Sequence, residues 1–344
     1  MVVMRLLLLF LIARFVPQVS PNNDTALVEN DVCEWKRPPK CNGEPTFKIN
    51  LHFAKDFPTA LKAPFREAAE LWSRAIVGRT HKDGREYISK RRKISALAAE
   101  YCSLDSPALV NRDEIIVCVN AETLKSHVIA SAGCLDVDHG RPSPNAYGLP
   151  MVSIILVNWL YVGKYHYCDW TNIALHELAH ALGFGKHVPA FKKKIRGNKF
   201  FDGIHTQQEW DKLNATTSRP LLSQKDLSHW PVDCFASDEL MRPHHMQRND
   251  RIPISRLTMA VMEDLGYQIN YLCTDDSLEI SDTYRILSRA HENLCPRIKR
   301  LGAWTGQTRK AWLRSYDRFQ THVKKALTDQ AMFHHYYPTK PTLD

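Results

Sequence analysis

The chain has 344 residues, 44% of them hydrophobic and 24% charged. A chain of that length and balance can bury one large core or two smaller ones, which excludes wholesale disorder. Its 14 Gly and 19 Pro exclude a collagen-like or low-complexity chain, and a mean hydropathy of −0.36 excludes a polytopic membrane protein. The net charge is 46 − 37 = +9.

Residues 1–20 read as a secretory signal peptide, with Arg5 followed by an apolar run from Leu6 to Ala13 that is too short to cross a bilayer. Residues 21–44 are polar and Pro-rich and read as a short leader or pro-arm. Pro45 to Ala54 alternates, with Phe47, Ile49, Leu51 and Phe53 on one face of a strand. Phe57 to Gly78 has helical spacing at Leu61, Phe65, Ala68, Leu71, Trp72 and Ala75. A basic loop follows from Arg79 to Lys93. Glu114 to Val119 and Met151 to Val157 are apolar strand candidates. Asp169 to Leu182 reads as a helix with Asp169 as N-cap and Gly183 as its stop. Gly183 to Pro253 carries few periodic signals, and Ser255 to Leu265 is helical again. The tail from Cys295 to Asp344 holds ten Lys and Arg against three Asp, interleaved with aromatics. It reads as an amphipathic helix, with a surface for acidic glycan or anionic membrane as the sharper alternative; nucleic acid is not expected.

Secretion sets how the nine cysteines read. In an oxidising compartment most pair, Cys33 with Cys41 among them, and an odd count leaves at least one over. Asn23 and Asn214 sit in glycosylation sequons.

The chemistry concentrates in Leu175-His-Glu-Leu-Ala-His-Ala-Leu-Gly-Phe184. On a helix, His176 and His180 project from one face, and two neutral imidazoles at that spacing fill two corners of a zinc site. Glu177 is then placed to take a proton from water acidified by the metal. A catalytic zinc takes a third protein ligand. Lys186, three residues beyond Gly183, does not ligate while protonated, and His187 is one position late. The best candidate is His229, 49 residues after His180, with Met241 in Asp238-Glu-Leu-Met-Arg-Pro243 as a Met-turn residue. His187, His244 and His245 read as neighbours rather than ligands, and Lys192 to Lys194 as a solvated loop.

These motifs, with the helix Leu257 to Tyr267 and, upstream, Ala130 to Cys134 and Gly140-Arg-Pro142, resemble the leishmanolysin and invadolysin family of metzincin zinc peptidases. The likeness runs from about Phe65 to Tyr267. It implies an α+β metzincin-type fold, with a mixed twisted sheet and active-site helix in an N-terminal lobe (45–182). A loop-rich C-terminal lobe (183–275) would carry the third ligand and the Met-turn, with the basic tail at 276–344. It implies one Zn2+ per chain held by His176, His180 and His229, Glu177 as general base, and a secreted metalloendopeptidase acting on protein or peptide substrates. Substrate would add to a sheet edge, Gly148 to Ile155. The family's longer pro-segment and its Cys-rich C-terminal domain have no counterpart here. The tail shows no signal for the lipid anchor that holds many relatives on membranes, so free secretion is expected, with membrane association as the alternative. Two other readings stay open. A thermolysin-like enzyme would use Glu209 as third ligand, and a non-catalytic binding protein would keep only the fold.

Overall fold

The computed structural model describes residues 44–274, except 80–91, 103, 105–108, 112, 126–127, 138–147, 198, 213–218, 221, 224–225, 232–238 and 244–251. The chain divides into two units at Tyr284, and every described residue lies in the first. The signal and leader, Cys33 and Cys41, both sequons, Gly140 to Pro142, His244, His245 and the basic tail lie outside the described residues.

In chain order the elements are β1 (Lys48–Phe53), α1 (Thr59–Ala75), β2 (Ile76–Arg79), β3 (Arg92–Lys93), α2 (Ala96–Tyr101), β4 (Leu109–Val110), β5 (Glu114–Glu122), β6 (Ala130–Val137) and β7 (Pro150–Asn158). There follow α3 (Tyr167–Leu182), α4 (Pro189–Lys193), β8 (Ile195–Arg196), β9 (Phe200–Phe201), α5 (Ile204–Lys212), α6 (Arg256–Leu265) and β10 (Tyr267–Ile269). The protein is α+β with a mixed sheet: the main sheet runs β1-β5-β7-β6, parallel except for the antiparallel β6–β7 pair.

Alternation along the central strands divides the core in two. Ile115, Val117 and Val119 of β5 and Ile155 and Val157 of β7 face a large cluster built with α1, α3 and α6. Ile116 and Cys118, with Val152, face a smaller cluster around Ala98, Ala99 and Cys102 of α2. A sheet covered on both faces explains why β5 and β7 read as continuous apolar runs. A Cys102–Cys118 disulfide ties α2 to β5, and Cys134 is the free cysteine among the described residues.

Four expectations are corrected. The first helix ends at Ala75, because Ile76–Arg79 pairs antiparallel with Tyr267–Ile269 and is drawn into a strand. Helix α3 begins at Tyr167 with His166 as N-cap, since Asp169 sits one turn in and its carboxylate reaches back to accept from the His166 N–H at 3.2 Å. The segment after Gly183 is less irregular than its weak periodicity suggests, holding α4, the β8–β9 hairpin and α5. Finally, β7 is paired on both sides, so Gly148 to Ile155 offers no edge; β6 is the antiparallel edge strand.

Helix α3 is held at both ends of its core contact. Trp72 of α1 donates its indole N–H to the Leu175 carbonyl at 3.0 Å. The last carbonyls, left without helical partners, accept from side chains: Ala181 from the Ser153 hydroxyl at 2.7 Å and Leu182 from the Tyr267 hydroxyl at 2.8 Å. Every residue of α3 beyond Tyr167 is buried.

The segment after α3 is tied to α6 by Asp264. Its carboxylate accepts from the Thr206 N–H and hydroxyl at 2.8 and 2.6 Å and from the His205 N–H at 3.2 Å, serving the first-turn donors of α5. Gly203 makes this approach possible, because a Cβ there would lie 2.0 Å from Asp264 Oδ2 and 2.8 Å from the Phe201 ring. Gly203→Ala is therefore expected to destabilise the fold by ~2 kcal/mol through loss of that cap. Chemical denaturation with an unchanged midpoint would refute it.

Candidate metal centre

The 3.6-residue period of α3 sets the first half of the site. His176 and His180 stand one turn apart on one face, with rings 4.7 Å apart between centroids and their Nε2 atoms 3.1 Å apart. The third member arrives from far along the chain. His229 places its Nε2 3.2 Å from that of His176 and 3.1 Å from that of His180. These three residues form a group able to hold a metal ion.

Local structure explains why each ring sits where it does. Gly183 ends α3 at φ +126°, a region other residues avoid, and turns the chain so that the Phe184 N–H donates to the Ala179 carbonyl. The same turn brings the Phe184 carbonyl to His180 Nδ1 at 2.6 Å. His176 Nδ1 lies 2.7 Å from the Leu240 carbonyl, in the turn that contains Met241. His229 Nδ1 lies 2.8 Å from Asp226 Oδ2. Between them Leu227 adopts a left-handed conformation (φ 57°), the sole non-glycine residue to do so among those described. The His229 carbonyl accepts from the Ser223 N–H at 2.8 Å, and the Trp230 N–H donates to Met241 at 2.9 Å. The Trp230 ring packs edge-on against Phe184. Met241 is fully buried, and Glu239 beside it accepts from the Thr258 hydroxyl at 2.6 Å, fastening the turn to α6. Burial pushes the Glu239 carboxyl up, and hydrogen bonds from Ser255 and Thr258 partly offset it.

Each Nδ1 thus faces an oxygen acceptor. A neutral imidazole carries one N–H, and in all three rings that proton belongs on Nδ1. The three Nε2 lone pairs then face one another across 3.1–3.2 Å, which is repulsive unless a cation lies among them. Nitrogens bound to one zinc at 2.0–2.1 Å with tetrahedral angles lie about 3.3–3.4 Å apart. The observed triangle and the all-nitrogen donor set fit a metal ion such as zinc. Burial, then the neighbouring His229, hold His180 well below the usual histidine range, which favours the neutral, ligating form.

Glu177 is buried beside this group. Its Oε2 has no hydrogen-bond partner among the described residues, and burial pushes the carboxyl up to about 8. A cation at the triad would draw it back down by Coulomb attraction.

The structure therefore brings together His176, His180 and His229, with Glu177 buried next to His176 in the chain and Met241 buried next to Leu240, whose carbonyl meets His176. It leaves out Glu209 of α5, whose carboxylate pairs with Lys212 of the same helix at 2.7 Å and with Arg256 of α6 at 3.3 Å. The thermolysin-like reading loses its ligand with it. His187 stacks edge-on at 6.1 Å from His180 but stands outside the triad, as expected of a neighbour. Sequence reasoning missed Asp226. Its one signal is Asp-x-x-His spacing, which means little without the fold. Burial alone would raise its carboxyl, but hydrogen bonds from His229 and Ser228 outweigh that and hold it at about 2.

No known protein family and no curated protein matches this chain. Among the described residues, no helix is long and apolar enough to cross a membrane.

Two substitutions test the centre. His229→Ala should abolish stoichiometric zinc binding, whereas Glu209→Ala should keep it; the reverse result would restore the thermolysin-like ligand set. Asp226→Asn should weaken zinc about 10- to 100-fold in competition with a chromogenic chelator, because the amide no longer fixes the His229 tautomer by accepting its proton as a charged partner. Unchanged affinity would show that Asp226 does not orient the ligand.

Proposed function

We propose that the chain is a secreted zinc-dependent endopeptidase of the leishmanolysin type. The observation that carries this reading is the set of three Nδ1-pinned imidazoles with converging Nε2 atoms, together with the buried Glu177, next to His176 in the chain, whose Oε2 has no hydrogen-bond partner among the described residues. His176, His180 and His229 would hold a zinc ion, which would supply Lewis acidity toward a substrate carbonyl and water.

The protein's own groups carry the rest. Glu177 accepts the proton of the attacking water and returns it to the departing amine, so the carboxylate ends as it began. Its burial keeps competing solvent away from that exchange. Leu240, Phe184 and Asp226 hold the rings against rotation, so the ligands are positioned before substrate arrives. The edge of β6 supports an extended peptide by strand addition. Among the described residues it pairs with β7 alone, and it packs against α3. This assigns substrate alignment to Ala130–Val137 in place of Gly148–Ile155.

Casein cleavage by the zinc-loaded chain, compared with Glu177→Ala at matched zinc content, tests the reading. The variant should lose about 10²- to 10⁴-fold in rate. Equal, negligible rates in both, with zinc bound, would overturn it.

A further inference from the structure

The segment leaving the metal centre is strongly cationic. Between Gly183 and Gly203 stand Lys186, Lys192, Lys193, Lys194, Arg196 and Lys199 against a single acid, Asp202. Lys186, Lys192, Lys193 and Arg196 are exposed, and Lys194 and Lys199 are half-buried. Asp202 is already engaged by Arg196 at 3.0 Å. No carboxylate among the described residues pairs with Lys186, Lys192, Lys194 or Lys199.

These cations are not on a loose loop. The Asp202 N–H donates to the Lys194 carbonyl at 2.7 Å, and Ile195 pairs with Phe201 in the hairpin. Beneath them Phe191 packs on Phe184 and Phe201, with centroids 5.1 and 4.8 Å apart. The surface is also joined to the site. The Lys186 N–H donates to the Ser228 hydroxyl at 3.2 Å, next to ligand His229. The Lys199 carbonyl accepts from Leu222, whose neighbour Ser223 donates to the His229 carbonyl.

Like charges held on a rigid surface repel one another, and an anionic partner relieves that repulsion. We propose that this face makes the enzyme selective for acidic protein segments, whose Asp and Glu side chains dock on Lys186, Lys192 and Lys194 while the scissile carbonyl reaches the metal centre. The inference rests on the endopeptidase reading. It favours a peptide over a glycan or a lipid surface because the cationic run begins at Lys186, whose backbone N–H bonds to the segment that bears His229.

The test compares two peptide libraries of equal length, one carrying Asp and Glu within four residues of either side of the scissile bond and one carrying Ser and Gln there. The zinc-loaded wild type should prefer the acidic set by about tenfold in kcat/KM at low salt, and the preference should fall as ionic strength rises. Lys186→Gln/Lys192→Gln/Lys194→Gln should abolish the preference while cleaving the neutral set at the wild-type rate. Zinc content and thermal unfolding monitor its fold. Equal cleavage of both sets by the wild type would overturn the proposal, and so would binding of heparin or phosphatidylserine vesicles that the triple variant loses while peptide preference stays flat. Fluorescence anisotropy with an acidic peptide and the Glu177→Gln chain separates the two claims. If nothing is cleaved but the acidic peptide binds through the three lysines, the peptidase reading fails and acidic docking stands. If cleavage proceeds without charge preference, the opposite holds.

Discussion

Three imidazoles whose Nδ1 protons are each committed to a nearby oxygen constrain everything else in this protein. That commitment turns three Nε2 lone pairs inward at 3.1–3.2 Å and makes a group able to hold a metal ion out of two buried histidines and one half-buried one. The acceptors are two backbone carbonyls and one carboxylate, and each comes from a different piece of chain. The Phe184 carbonyl depends on the Gly183 turn, the Leu240 carbonyl on the turn fastened by Glu239 to α6, and Asp226 on the left-handed residue Leu227.

The fold is arranged around that requirement. Helix α3 is buried almost throughout and fixed by side chains from α1, β7 and β10, the last two taking up its free C-terminal carbonyls. Strand β10 pairs with β2, so the chain after α6 closes back on the strand that follows the first helix. Asp264 in turn holds α5 through its first-turn donors. A metal site assembled from residues 53 positions apart needs such bracing, because a displacement of a fraction of an ångström would separate the ligand atoms.

Much of this was legible in the sequence, and for identifiable reasons. The helix and its two histidines are local, set by a period of 3.6 and closed by a glycine, so spacing alone predicts the shared face. The strands β5 and β7 declare themselves as apolar runs because both their faces are covered. His229 is non-local, and a resemblance pointed to it where spacing alone did not. The missed features are those that depend on tertiary contact. The segment 76–78 looks helical until Tyr267–Ile269 arrives to pair with Ile76–Arg79. The interior position of β7 follows from strand order, which the sequence does not display. Asp226 is an ordinary exposed-looking acid until the turn at Leu227 brings His229 back onto it. Carbonyl partners leave no side-chain trace at all.

X-ray absorption spectroscopy of the zinc-loaded chain tests the central claim most directly. The account predicts a first shell of three imidazole nitrogens at about 2.0–2.1 Å with one further light atom and no sulfur. A sulfur shell at about 2.3 Å, or fewer than three imidazoles, would contradict it.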